Sequence, residues 1–380
     1  MKFPSEDIQK KLHGSFENMP VLLQDARRLG CNCVYLISYW EPHYENKGDY
    51  EIRRDLGGDE AFKKGVQKIR KQGGKIILYL EAFIITRTSK IGKSHGLDWC
   101  MKDARGQPQK YYGRSRFYLM WPGRGSGWTE HICSVAERLV REFGVDGFHL
   151  DSYGIQWDLI DHDPRHKSSF NQGAIELVIK MRSRIQKINP DAVVILEGCE
   201  RTQLLNLCDG GQIESAAWQY SPIRVLNEKP WAKEVKYKAF TSHYSMEEMD
   251  QILAMGYNLS LSPWWFEHHV REKDFATMRK RMNDKDEWLK RIRILWNWDN
   301  LCYINNIPRP KDIDLFQLRR DLEMRRYTRP KPKYYDTDAY RQAVQAYEPL
   351  IKKLLRSGTS VKTQQQYLRE KLNQWQKTSF

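Results

Sequence analysis

Four stretches of the chain share one pattern of apolar and polar positions, a helical rhythm that stops at glycine and gives way to about five apolar residues. They are ARRLGCNCVYLIS (Ala26 to Ser38), IRKQGGKIILYLE (Ile69 to Glu81), VREFGVDGFHLD (Val140 to Asp151) and ILAMGYNLSLSPWW (Ile252 to Trp265). IQKINPDAVVILEG (Ile185 to Gly198) repeats the pattern with Asn-Pro-Asp as the helix stop. Glycine takes the left-handed backbone that ends a helix, and proline cannot continue one. The runs that follow are apolar nearly throughout, as parallel strands covered on both faces should be. GGQIESAAW and VKYKAFTSHY add two more candidates, which predicts strands starting at Cys33, Ile76, Phe148, Val193, Gln212, Ala239 and Leu259.

The intervening segments read as helices with one apolar face. Leu177, Val178, Met181, Ile185 and Ile188 recur at spacings of three and four, while Lys180, Arg184 and Lys187 point away. Ile132, Val135, Ala136, Leu139 and Val140 do the same in the preceding helix. Alternating helices and buried strands predict a parallel α/β fold. No GxGxxG or Walker sequence follows the first strand, and the loops after the strands are the ones rich in Trp, Tyr, His and Gly. That asymmetry favours a (β/α)8 TIM barrel over a doubly wound open sheet. Seven strands are one short of eight. Either Lys2 to Leu12 supplies an irregular first strand, or the barrel lacks a regular one and the chain descends from a longer protein. Residues 1–300 are expected to form the barrel, and 301–380 a helical C-terminal extension built from Ala339 to Ser357 and Thr363 to Lys377.

Composition narrows the classes. The chain has 380 residues, 40% of them hydrophobic, with 13 Trp, 20 Tyr and 13 Phe, enough to build a large core. The net charge of +15 lies mostly in helical-looking runs such as Arg279-Lys280-Arg281, which read as solvated faces rather than a specific nucleic-acid site. Seven scattered cysteines without CxxC pairs read as free thiols. No apolar run is long enough to span a membrane, and Met1 to Asp7 lacks the apolar core of a signal peptide, so a cytoplasmic protein is expected, with a longer exported parent as the alternative. No cofactor or metal is expected. In DHDPRH (Asp161 to His166) the two histidines stand four apart, but Pro164 between them disfavours a shared helix face.

The chemistry gathers at strand ends. IILYL ends in Glu81, FHL in Asp151 and VVIL in Glu197. Taken singly, such a residue often caps the next segment. Two on successive strands of a parallel barrel should instead face one pit. Carboxyls about 5 to 5.5 Å apart suit a retaining glycosidase, in which one attacks the anomeric carbon and the other protonates the leaving oxygen. That requires one ionised and one protonated group near neutral pH. It also requires both groups to face inward, with neither tied up by a buried cation.

GVDGFHLDSYG followed by VVILEG resembles the α-amylase-like superfamily of TIM-barrel glycoside hydrolases, and most closely its relatives near endo-α-N-acetylgalactosaminidases. The resemblance spans about Met19 to Trp265, with specific motifs at strands three to five. It implies Asp151 as nucleophile and Glu197 as acid/base. His149 stands where amylases carry an arginine, and Thr241-Ser242-His243-Tyr244 stands where they keep a strand-seven aspartate, so α-glucan specificity is not implied. Related α-galactosidase-like families draw the acid from strand six, which keeps Asp209 and Glu214 as alternatives to Glu197. Expected sugar contacts are Glu81, Trp40, His149, Tyr153, Trp218, His243 and Trp264, since rings at a pit mouth stack on sugar faces. Trp121 to Gly125 is a candidate substrate-facing loop. The partner expected is a carbohydrate substrate, and the alternative is an inactive or shortened barrel that binds sugar without cleaving it.

Overall fold

The structure is a computed structural model describing residues 5–28, 31–42, 45–111, 113–154, 159–197, 204, 207–214, 238–242, 258–259, 294, 345, 348–356, 366–368, 370–371 and 374. The chain forms two compact units. One comprises Met1–Gln212 with Leu261–His269, the other Ile213–Ser260 with Val270–Phe380.

In the first unit, helices α1 (Ser5–Lys11) and α2 (Pro20–Arg28) lead into strand β1 (Cys33–Leu36). Helix α3 (Gly58–Lys71) precedes β2 (Lys75–Glu81). A short antiparallel pair, β3 (Ile84–Thr86) with β4 (Phe117–Leu119), carries helix α4 (Lys90–Trp99) between its strands. Then α5 (Gly127–Phe143), β5 (Gly147–Asp151), α6 (Phe170–Gln186), β6 (Val193–Glu197) and β7 (Gly210–Glu214) alternate. Strands β1, β2, β5 and β6 run parallel in that order, and β6 pairs in parallel with the first residues of β7. In the second unit β8 (Lys238–Ser242) pairs in parallel with β9 (Asn258–Leu259), and α7 (Glu348–Arg356) lies within the expected C-terminal helical region.

All seven anticipated strands are present, their starts displaced by at most two residues from the pattern. One expectation is corrected. Residues 5–11 are helical, so an irregular first strand from Lys2 to Leu12 does not form there. Ile8 and Leu12, four apart on one helical face, are both fully buried, so a 3.6 period and not a period of two buries this segment. The β3–β4 pair was not anticipated, because its three-residue strands are too short to show alternation.

The helices cover the sheet as their apolar faces require. Helix α5 buries Trp128, Ile132, Val135, Ala136, Leu139, Val140 and Phe143, and α6 buries Leu177, Val178, Met181 and Ile185. Ser126 caps α5 by accepting the Thr129 N–H, and Gly144, at φ 74°, ends it in the left-handed region. The Trp128 indole reaches through this layer to donate to the Ala82 carbonyl at 2.8 Å, tying α5 to the chain just past β2.

At the amino ends of the strands two aspartates act as clamps. Asp146 accepts the Ile76 N–H at 3.0 Å and Lys75 Nζ at 3.0 Å, while its own N–H donates to Ile76 O. Asp209 repeats the device one layer on, accepting Val194 N–H at 3.0 Å and a forked contact from Arg182. Each aspartate stands just before its own strand and fastens the start of the preceding one. No described helix is long and apolar enough to cross a membrane.

Candidate active site

Register builds the site. Glu81 on β2 pairs with Asp151 on β5, and the β5–β6 register, Leu150 opposite Leu196, carries on to set Asp151 opposite Glu197. Side chains alternate along a strand, so Tyr79, His149 and Ile195 lie two residues below the acids on the same side of the sheet. Three carboxyls therefore stand side by side at the carboxyl ends of three adjacent parallel strands. Glu197 and Glu81 lie near enough to Asp151 for both to help hold its carboxyl low.

A buried lysine meets this row. Lys47, in the segment between β1 and α3, donates to Tyr79 Oη at 2.8 Å and to Glu81 Oε2 at 3.2 Å, and lies 3.8 Å from Asp151 Oδ2. The Tyr79 hydroxyl donates to Asp151 Oδ2. Asp151 is thus in contact with a buried cation, the arrangement that the sequence reading set against a hydrolase. The contact is the longest of the three that Lys47 makes, and the Asp151 side chain keeps 19% exposure, against 1% for Glu81.

Electrostatics separate the acids. Burial pushes the Glu81 carboxyl well above the usual glutamate range, and the neighbouring Asp151 charge adds to this while Lys47 only partly offsets it. Burial also disfavours charge on Asp151. There the Lys47 ammonium and the hydrogen bonds from Glu197, Tyr79 and Glu81 outweigh it and hold the carboxyl below the usual aspartate range. Glu197 accepts the Ser152 N–H, and its carbonyl accepts the Gly154 N–H at 2.6 Å. Ser152 adopts φ 62°, a left-handed backbone uncommon for serine, and in that conformation its N–H meets the Glu197 carboxylate.

The other expected contacts fall in two groups. Glu81, Trp40, His149 and Tyr153 are all at least 97% buried, so the Trp40 and Tyr153 rings lie in the core and not at the mouth of the pit. Trp40 lies flat against Tyr79, with centroids 5.5 Å apart, and donates to Asn46 O at 2.7 Å. His149 Nδ1 is 2.8 Å from Tyr35 Oη, one layer below Asp151. Tyr153 packs on Phe170. Glu81 is held by Lys47 and accepts the Phe83 N–H at 2.8 Å. These side chains make the floor. Trp218, His243 and Trp264 lie outside the described residues. Of the alternative acids, Asp209 is removed from the pit by its clamp on Val194 and Arg182, at the opposite end of β6. Glu214 ends β7.

In the Trp121 to Gly125 segment Trp121, Pro122 and Gly123 are buried, while Arg124 and Gly125 are exposed. Trp121 stacks on His166 at 4.0 Å, and His166 Nδ1 is bonded to Asp161, which in turn accepts the Lys102 N–H. Among the described residues no group of three or more His, Cys, Asp or Glu side chains is placed to hold a metal ion. Lys47 and Tyr79 were not anticipated. Tyr79 carried a signal, since it precedes Glu81 by two on an alternating strand. Lys47 sits in a loop where no periodicity operates.

Residues 9–198, half of the 380, match the family model described as a domain of unknown function, DUF6259. No curated protein matches the chain. Solved structures resemble it in fold. A noncanonic maltogenic α-amylase from Thermotoga neapolitana superposes with a TM-score of 0.52 at 14% identity, over 73% of this chain and 74% of its own. A debranching enzyme from Nostoc punctiforme gives 0.53 at 15% over 73% and 72%. An α-galactosidase from Geobacillus stearothermophilus, in complex with 1-deoxygalactonojirimycin, gives 0.53 at 11% over 75% of this chain but 41% of its own. None of these three is an endo-α-N-acetylgalactosaminidase. The alternation of parallel strands and helices is thus of the (β/α)8 TIM-barrel type.

Proposed function

The chain belongs to the DUF6259 family, and from that premise we propose that it is a retaining glycoside hydrolase acting on an α-linked sugar. The observation that carries this reading is the in-register pair Asp151 and Glu197 at the carboxyl ends of adjacent strands. Active sites of such barrels lie at that end. Asp151, held ionised, attacks the anomeric carbon and forms an ester as the glycosidic bond breaks. Glu197 gives its proton to the departing oxygen, then removes one from the water that hydrolyses the ester.

The protonation pattern supports these roles. Lys47 and Tyr79 beside Asp151 hold it below the usual aspartate range, which suits the nucleophile. Neighbouring ends of in-register strands suit the close pair of a retaining enzyme better than the about 6.5 to 9.5 Å of an inverting one. Sugar and linkage are left to experiment.

One observation favours a second reading. Tyr79 and Lys47 both address Asp151 Oδ2, one of the two oxygens available for attack, which suits a barrel that binds carbohydrate without cleaving it. The two readings part in one test. Incubation with a panel of 2-fluoro aryl α-glycosides, followed by peptide mass spectrometry, should find a glycosyl adduct on Asp151. Absence of an adduct, with no aryl α-glycoside hydrolysed, would leave the binding reading.

A further inference from the structure

Lys47 is anchored too firmly to be a stray surface cation. Its N–H donates to Thr86 Oγ1 at 2.9 Å, and its carbonyl accepts the Thr86 N–H at 3.0 Å. The next residues are tethered in turn. His131 Nε2 lies 2.8 Å from Gly48 O, Asp49 accepts the Lys90 and Ile91 N–H groups at the start of α4, and Tyr50 Oη donates to Glu81 O. The short β3 strand, invisible in the sequence pattern, thus supplies the residue that fixes Lys47.

Hydrogen-bond direction then follows from the groups present. An ammonium has donors only, so the Tyr79 oxygen must accept from Lys47. Its single proton then has two acceptors in reach, Glu81 Oε2 at 3.3 Å and Asp151 Oδ2, and the shorter contact is the one to Asp151. One ammonium faces two acids, Glu81 at 3.2 Å and Asp151 at 3.8 Å, and can compensate only one charge between them. The other titratable or polar groups on the described elements around it are Tyr35, Tyr50, Tyr79 and His149, none of them a second compensating lysine or arginine.

We propose that Lys47 is a positioning residue, which makes Asp151 the carboxyl that carries the negative charge and orients the Tyr79 hydroxyl upon it. This rests on the hydrolase reading for its purpose but not for its test. Protein labelled with 13C at aspartate carboxyls is titrated by NMR, with the Asp151 signal assigned by its loss in Asp151→Asn. In the wild type the signal stays that of a carboxylate through the ordinary aspartate range. In Lys47→Met it should titrate higher by about one pH unit or more, the size of shift an opposite charge within 4 to 6 Å produces. Lys47→Gln removes the charge while keeping hydrogen-bonding capacity, and serves the same purpose if the Met variant does not fold. Lys47→Arg should restore the low titration.

An Asp151 signal unmoved in the neutral variants, or raised equally in Lys47→Arg, overturns the assignment. For any aryl α-glycoside that the wild type cleaves, the acid limb of kcat/KM should move up in pH with the NMR titration. Hydrolysis with an unmoved titration would sink Lys47 and spare the hydrolase. A moved titration with no hydrolysis would do the reverse.

Discussion

The two ends of the parallel sheet use the same side chain for opposite purposes. At the amino ends, Asp146 and Asp209 accept backbone N–H groups of the neighbouring strand and pair with Lys75 and Arg182, cations that reach solvent. Each carboxylate has donors in plenty and no acid beside it. At the carboxyl ends, Glu81, Asp151 and Glu197 end adjacent strands side by side, and among the described residues one buried ammonium, Lys47, meets Glu81 and Asp151. Carboxylates that serve architecture are surrounded by donors. Carboxyls crowded beyond the available positive charge store unequal proton affinities, the condition acid–base chemistry needs.

The sharpest way to break this contrast is to neutralise one aspartate at each end. Asp151→Asn should lower turnover of an aryl α-glycoside by about a thousandfold or more, as loss of a nucleophile does. Its thermal melt should hardly move, because Glu81 can ionise and become the partner of Lys47. Asp209→Asn should leave turnover nearly unchanged. Equal losses in both variants would erase the distinction between the ends.

Stability should respond in the opposite order. Asp146→Ala leaves the buried Ile76 N–H without its side-chain acceptor, which costs about 1 to 3 kcal/mol, and denaturant unfolding measures it. Activity per folded molecule should be retained. A larger loss from Asp151→Ala than from Asp146→Ala would reverse the assignment of the two ends.

The smallest effect concerns pH. The Glu81 carboxyl is raised in the folded state, so its contribution to stability is fully present below the usual glutamate range and is lost as pH rises toward and past neutrality. Asp151 is held low, so its contribution is present above the usual aspartate range and is lost on acidification. Glu81→Gln should flatten the decline on the alkaline side and leave the acid side in place. Melting temperature measured from mildly acid to mildly alkaline pH checks this, and an unchanged alkaline slope would locate the raised group elsewhere.

Much of the architecture was legible before any coordinate. Glycine or proline stops and largely apolar runs mark β1, β2, β5 and β6, because a strand covered on both faces tolerates little polar alternation. Glu81, Asp151 and Glu197 stood out for the same reason, as charges ending such runs. Even the failure at residues 5–11 is instructive. A short segment carries too few positions to separate a period of two from one of 3.6, and packing of Ile8 and Leu12 decided it.

The chain by itself determined which residues become strands and which acids terminate them, since both follow from local spacing and from the exclusion of charge from a covered sheet. Tertiary structure alone decided what each acid became. Lys47 lies 34 residues from Glu81 and over a hundred from Asp151, and no periodic signal links them. Register set the three carboxyls side by side, the loop anchored on Thr86 brought an ammonium to Glu81 and Asp151, and low-dielectric burial drove the proton affinities of those two apart.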